Sequence, residues 1–207
     1  MTILSRSECL KILEKTGMPH HICRHSLMVT EVALFLGRLL NANGSNLNLD
    51  LVEAAALLHD IGKQQCLEQG GDHAVLGARM LEGIAHPAIA GIVSEHIHLE
   101  WAQIAAPLTE SVLVNYSDKR VKHDQVVSIE ERYHDLIARY ARSLTQRQRL
   151  LDKLNLYLEL EKSIFRHLNI KPMGVEIMGL TIDNQKGAAP DGNEKTDCCV
   201  ACGRQVG

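Results

Sequence analysis

His59 and Asp60 stand side by side in Leu57-Leu58-His59-Asp60-Ile61, at the end of the most apolar stretch of the chain. An ionised carboxylate among such neighbours is costly unless its charge is paired or bound to a cation. Adjacent residues on a helix point about 100° apart, so a cation meets both side chains only by sitting between them, and its other ligands must come from other elements. The chain offers one candidate on each of four further predicted helices: His25, His73, His96 or His98, and Asp118. Neutral imidazoles and carboxylates together suit a divalent transition metal, with Fe, Mn, Zn, Co and Ni all compatible. An ion of this kind lowers the pKa of a bound water and polarises an anionic substrate, and Lys63, four residues after His59, would add positive charge beside it.

Each candidate also has a plainer reading. His59 and Asp60 could form a satisfied buried hydrogen bond. His25 could be a surface residue among His20, His21 and Arg24, and Asp118 could pair with Lys119 at the surface. His73 follows a capping Asp72 and could lie exposed in the first turn, while Lys63 could sit just past a helix C-terminus. His96 and His98 are two apart, which on a helix means opposite faces. His96 is preferred because it falls four residues after Ile92 on the apolar side. His98 would then be exposed or lie over the mouth of the site. His20, His21, His86, His123 and His167 have no helical partner of the required type and are expected to face solvent. A second His-Asp pair, His134-Asp135, lies in the charged stretch Glu130 to Arg139 and reads as a solvated helix face.

The elements that must position these residues read as helices throughout. Ser5 with Glu8 forms a capping-box pattern for a short first helix ending near Gly17, and Pro19 opens a longer second one that carries His25 and stops in the loop Asn41 to Asn46. The third starts near Asp50, is apolar almost all round, and is ended by Gly62, so it belongs at the centre of the domain. Asp72 caps the fourth, Pro87 starts the fifth through His96, and Pro107 with Thr109 announces the sixth, which carries Asp118. Ser128 with Glu131 and Thr145 with Gln148 open two more. With no strand alternation in competition, the fold class is all-α, a bundle of about eight helices. Residues 1–183 make one domain, and 184–207, lacking a periodic apolar face, make a tail expected to be disordered.

Composition narrows the function classes. The 207 residues are 45% hydrophobic with net charge −3, and Lys plus Arg (22) fall short of Asp plus Glu (25). One Trp, four Tyr and two Phe leave little to stack on bases, so no nucleic acid partner is expected. No apolar run reaches the roughly 20 residues of a membrane span, and Met1 to Leu10 lacks the pattern of a signal peptide, which points to the cytoplasm. Cys9, Cys23 and Cys66 are scattered and read as reduced thiols. Cys198, Cys199 and Cys202 include a Cys-x-x-Cys pair with no second pair to close a zinc site, so the tail reads as functionally silent or of unknown role, with metal capture or redox chemistry as the alternative. The oligomeric state is not legible.

The order His25, His59-Asp60, His73, His96, Asp118 resembles the HD-domain metal-dependent phosphohydrolases, and His59-Asp60-Ile61-Gly62-Lys63 resembles their HDIG subset. The resemblance covers roughly residues 20 to 120. It implies an all-α bundle in which His25, His59, Asp60 and Asp118 bind a first metal, while His73 and His96 join a bridging Asp60 to hold a second. Enzymes that hydrolyse guanosine alarmones carry an acidic pair where Lys63 and Gln64 stand here, and related cyclic-dinucleotide phosphodiesterases carry a Gly-Tyr-Pro element absent after His98. Both substrates are disfavoured.

The leading expectation is therefore an enzyme that cleaves a phosphoester or phosphoanhydride of a nucleotide or other small phosphorylated molecule through a metal-activated hydroxide, with Asp60 and Lys63 in the catalytic roles. No Gly-rich phosphate loop is present, so phosphate capture would rest on the metals and Lys63. The alternative is a catalytically weak regulatory module that binds metal or nucleotide through the same pocket. A purely structural His-Asp core would bind no transition metal at all.

Overall fold

A computed structural model describes residues 2–166 and 168–182. The expected tail 184–207 with Cys198, Cys199 and Cys202, and also His167, lie outside the described residues. The eight predicted helices are present as α1 (Arg6–Lys15), α2 (His20–Ala42), α3 (Leu49–Leu58), α5 (His73–Leu81), α6 (Pro87–Glu95), α8 (Glu110–Lys119), α9 (Ile129–Tyr140) and α10 (Leu144–Phe165). Three short helices join them: α4 (Lys63–Gln69), α7 (Trp101–Ala105) and α11 (Val175–Met178). A two-stranded antiparallel hairpin, β1 (Val121–Lys122) and β2 (Gln125–Val126), is the sole departure from an all-α fold among the described residues. None of the helices is long and apolar enough to cross a membrane.

The capping chemistry sets most boundaries. Ser5 and Glu8 make the full capping box of α1, Asp72 accepts from the Ala74 amide, Thr109 from Val112 and Ser128 from Glu131. One expected cap is corrected. Helix α10 is capped by Ser143, which accepts from the Gln146 amide, two residues before the expected Thr145. Thr145 is itself helical, because Ser143 offers the same hydroxyl to an orphan amide at an earlier turn.

Helix α3 lies at the centre, as its all-round apolarity requires. Val52 and Ala54 to Leu58 are fully buried, and the run Ala54-Ala55-Ala56 lets α2, α6 and α8 come close on different sides. Arg6 on α1 closes the outer edge by pairing with Glu31 on α2 and Glu53 on α3, each at 2.9 Å. At the other end Arg120, wholly buried, donates to the carbonyls of Val127 (2.7 Å) and Pro172 (2.8 Å) and to the Tyr116 hydroxyl (2.8 Å). It also pairs with Glu161 at 3.2 Å, so one guanidinium ties α8 to the hairpin, to α10 and to the segment before α11. Cys9, Cys23 and Cys66 are free thiols.

Candidate metal centre

Helix α3 ends at Leu58, four residues before Gly62, so the expected helical His59-Asp60 step is corrected. His59 to Gly62 form a turn, and the departure from helical direction lets both side chains converge, with His59 Nε2 3.2 Å from Asp60 Oδ2. Gly62 is needed for a reason the spacing did not show. Its φ of −79° is ordinary, but a Cβ there would lie 2.1 Å from the His73 carbonyl oxygen and 2.5 Å from the Gly77 amide nitrogen. The missing side chain lets the turn press against the backbone of α5, which carries His73. Gly62→Ala is expected to cost about 2 kcal/mol or more in urea denaturation, since backbone and not a flexible side chain must yield. A loss under about 0.5 kcal/mol would contradict this contact.

The six candidates from five regions of the chain come together. His25, His59, Asp60, His73, His96 and Asp118 are all buried, the most exposed being His73 at 8%. His73 is thus not the exposed first-turn residue it could have been. His96 sits at the C-cap of α6, not inside it, and points inward, whereas His98 is exposed and lies beyond the helix. Among the remaining histidines His21, His123 and His134 are exposed as expected. His20 and His86 are instead half-buried; the His86 ring is drawn in by accepting from the Ala88 amide at the start of α6.

Three of the rings are held by the same device. His25 Nδ1 meets the His123 carbonyl at 2.9 Å, His59 Nδ1 the Ala56 carbonyl at 2.7 Å, and His96 Nδ1 the Val93 carbonyl at 2.6 Å. A carbonyl only accepts, so each Nδ1 carries the hydrogen and the neutral ring presents a bare lone pair at Nε2. Those lone pairs converge on carboxylate oxygens. His25 Nε2 is 2.9 Å from Asp118 Oδ1, and His96 Nε2 is 3.5 Å from Asp60 Oδ1 and 3.1 Å from His73 Nε2. His59 Nε2 is buried without a hydrogen bond. Acceptors crowded against acceptors require positive charge between them, so the donor set fits a metal ion.

The electrostatics say the same. Burial pushes the His73 imidazole down to about 3, and lowers His25 and His96 as well, so these rings are neutral ligands at neutral pH. For His59 burial also opposes the charge, but Asp60 overcomes it and raises the pKa, a sign that the pocket favours a cation at this point. Burial opposes the charges on Asp60 and Asp118 too. His59 and Lys63 nevertheless hold Asp60 well below the usual carboxylate range, and Lys119 and His25 do so for Asp118.

Two groups of donor atoms each lie within 4.8 Å of one another: His25, His59 and Asp118, and His59, Asp60 and His96. Asp60 faces both. Its Oδ1 is turned to His73 (3.4 Å) and His96, its Oδ2 to His59 and, at 3.9 Å, His25. Lys63, the first residue of α4, reaches Asp60 Oδ2 with Nζ at 2.5 Å while remaining 20% exposed. Lys119 contacts Asp118 as the plainer reading allowed, but inside the site and not on the surface.

The His123 carbonyl is the feature that residue types did not reveal. His123 has φ 55° in the two-residue loop between β1 and β2, a conformation disfavoured for a side chain of its size, and Arg24 pins the next residue, Asp124, at 2.7 Å. That loop delivers the acceptor that orients His25. A backbone oxygen has no signature in a sequence; the available hint was the short run Lys122-His123-Asp124 after Asp118.

Two curated proteins resemble parts of the chain. The chain is 41% identical over 91 residues to a tRNA (cytidine(56)-2'-O)-methyltransferase of Thermoplasma volcanium, covering 43% of this chain and 25% of that protein. It is 33% identical over 116 residues to ribonuclease Y of Petrotoga mobilis, covering 54% of this chain and 21% of that one. It therefore spans about a quarter or less of the length of these relatives. No solved structure gives a significant match. The HD domain family matches residues 22–154, more than half of the chain and the whole stretch from His25 to Asp118, and to that family this chain belongs.

Proposed function

We propose that the chain is a metal-dependent phosphohydrolase of the HDIG kind, acting on a phosphoester or phosphoanhydride of a nucleotide or other small phosphorylated molecule. The observation that carries the reading is the convergence of bare imidazole nitrogens on two buried carboxylates, with Asp60 turned to both sides. His25, His59, Asp60 and Asp118 would hold one ion, and His73 and His96 with Asp60 a second. When bound, such ions bring the pKa of a coordinated water close to neutrality and polarise phosphoryl oxygens. The protein's own part is to fix the ligands through the Ala56, Val93 and His123 carbonyls and to keep water and competing donors out of a pocket lined by α3. Lys63, partly exposed beside Asp60, supplies positive charge where a phosphate approaches, and Lys119 does so beside Asp118.

The two relatives carry names of RNA-acting enzymes, but each match covers a minor part of the relative. The net charge of −3 and the few aromatics favour a small substrate over a nucleic acid groove. Purified protein stripped with a chelator and reloaded with Mn, Fe, Co, Ni or Zn should hydrolyse p-nitrophenyl phosphate or bis(p-nitrophenyl) phosphate only in the reloaded state. Turnover that ignores chelation would contradict the reading. Ion binding without turnover on any phosphoester would leave a regulatory metal- or nucleotide-binding module in its place.

A further inference from the structure

The second His-Asp pair of the sequence is split by α9. His134 is exposed, but the Asp135 side chain is only 14% exposed and turns toward the hairpin of β1 and β2. Its carboxylate meets Lys122 Nζ of β1 at 3.5 Å and Arg139 Nε, one turn further along α9, at 3.1 Å. Arg139 in turn reaches His123 Nε2 with Nη2 at 3.5 Å. From α2, Arg24 Nε donates to Asp124 Oδ2 at 2.7 Å. Lys122, His123 and Asp124 are therefore each held from outside the hairpin, the first two by α9 and the third by α2.

The loop needs such anchors. A two-residue hairpin loop takes Gly, Asn or Asp most readily at a positive φ, and here His123 stands at 55°. A residue in that region persists only where its surroundings over-determine it. The ladder behind the loop is two residue pairs long, Val121 with Val126 and Lys122 with Gln125. Packing leaves the loop room to move, since a cleft of about 470 Å³ bordered by Asp124, Gln125 and residues 180–182 opens beside it. What the loop carries is the His123 carbonyl, 2.9 Å from His25 Nδ1. Relaxation of φ would swing that carbonyl away, and the His25 ring would lose the partner that fixes both its angle and the place of its hydrogen.

We infer that the hairpin is a positioning arm for His25, and that Arg24, Asp135 and Arg139 are positioning residues of the metal centre. By clamping Lys122, His123 and Asp124 they hold the His123 carbonyl where it keeps the hydrogen of His25 on Nδ1 and leaves Nε2 bare toward Asp118. The inference rests on the metal reading of the site and on no particular substrate. The Arg24–Asp124 pair is about one-third exposed, so its loss costs little in stability, and its effect is read instead in the orientation of a ligand.

In isotope-labelled, metal-free, full-length protein the His25 Nδ1–H, bonded to a carbonyl, should give an exchange-protected imidazole signal by NMR. Arg24→Gln and Asp135→Asn should each lose it. His59 and His96, whose Nδ1 groups are bonded to the Ala56 and Val93 carbonyls, are internal references and should keep theirs. Calorimetric titration with Mn²⁺ should find the tightest ion weakened about tenfold in both variants. For Arg24→Gln the Tm should fall by less than about 3 °C. Arg24→Lys, which keeps a cation beside Asp124, should stay within about threefold of the parent in Mn²⁺ affinity. A His25 signal and a Mn²⁺ affinity within about twofold of the parent in both clamp variants would overturn the arm. Loss of all three imidazole signals together would also overturn it, because the clamps would then support the fold and not one ligand. The two readings fail separately. A parent that binds no ion but loses only the His25 signal in Arg24→Gln keeps the arm and removes the metal, and ion-dependent phosphoester turnover with both readouts unchanged in the clamp variants does the reverse.

Discussion

Asp60→Ala is expected to lower phosphoester turnover by about 10⁴-fold or more, equivalent to ~5.4 kcal/mol of transition-state stabilisation. Asp60 offers one oxygen to His73 and His96 and the other to His59, His25 and Lys63, so its removal takes charge from both halves of the donor set at once. The helices do not depend on it. The core around α3 is made by Val52, Ala54 to Leu58, Val93 and Leu113, and an apolar replacement leaves no buried carboxylate to satisfy. The variant should therefore keep its helical circular dichroism and a cooperative melt while losing activity. Asp60→Asn, which keeps the volume and removes the charge, should be nearly as inactive. More than about a tenth of parental turnover in either variant would mean that Asp60 does not stand between the ions and the substrate.

His73→Ala and His96→Ala should each cost a hundredfold or more in turnover, roughly 2.7 kcal/mol, while one ion stays bound through His25, His59, Asp60 and Asp118. The two rings touch through Nε2 at 3.1 Å and share Asp60 Oδ1, so losing either unmakes the same half of the site. His73, its pKa pushed down to about 3 by burial, is a neutral ligand at neutral pH. A centre built for a single ion behaves differently: there His73→Ala would leave the stoichiometry unchanged and the rate within a few-fold. Two full ions retained in both variants would also contradict the assignment.

Much of this was legible before the fold was known. The eight longer helices announce themselves by apolar period and by caps such as Ser5, Asp72, Thr109 and Ser128, because a capping side chain and the helix it starts are neighbours in sequence. The inward choice of His96 over His98 followed from its spacing to Ile92. What stayed hidden depends on tertiary approach. Gly62 reads as a helix terminator, yet it is an absent side chain that α5 needs, and the turn it completes starts at His59, three residues earlier than apolar periodicity suggests. The hairpin is too short, at two residues a strand, to show alternation, and its key group is a carbonyl. Nothing in the sequence around Arg120 announces its burial, because its guanidinium finds acceptors inside the protein from segments up to 58 residues away.

Buried donors around Asp60 that hold transition ions reveal themselves in the number of ions carried by the folded chain. Elemental analysis of the purified protein, after equilibration with Mn, Fe, Co, Ni or Zn and removal of loosely bound ions, should find one or two per chain, and the same procedure on Asp60→Ala should find almost none. A parent chain that retains no transition ion, or an Asp60→Ala chain that retains as many as the parent, would contradict it.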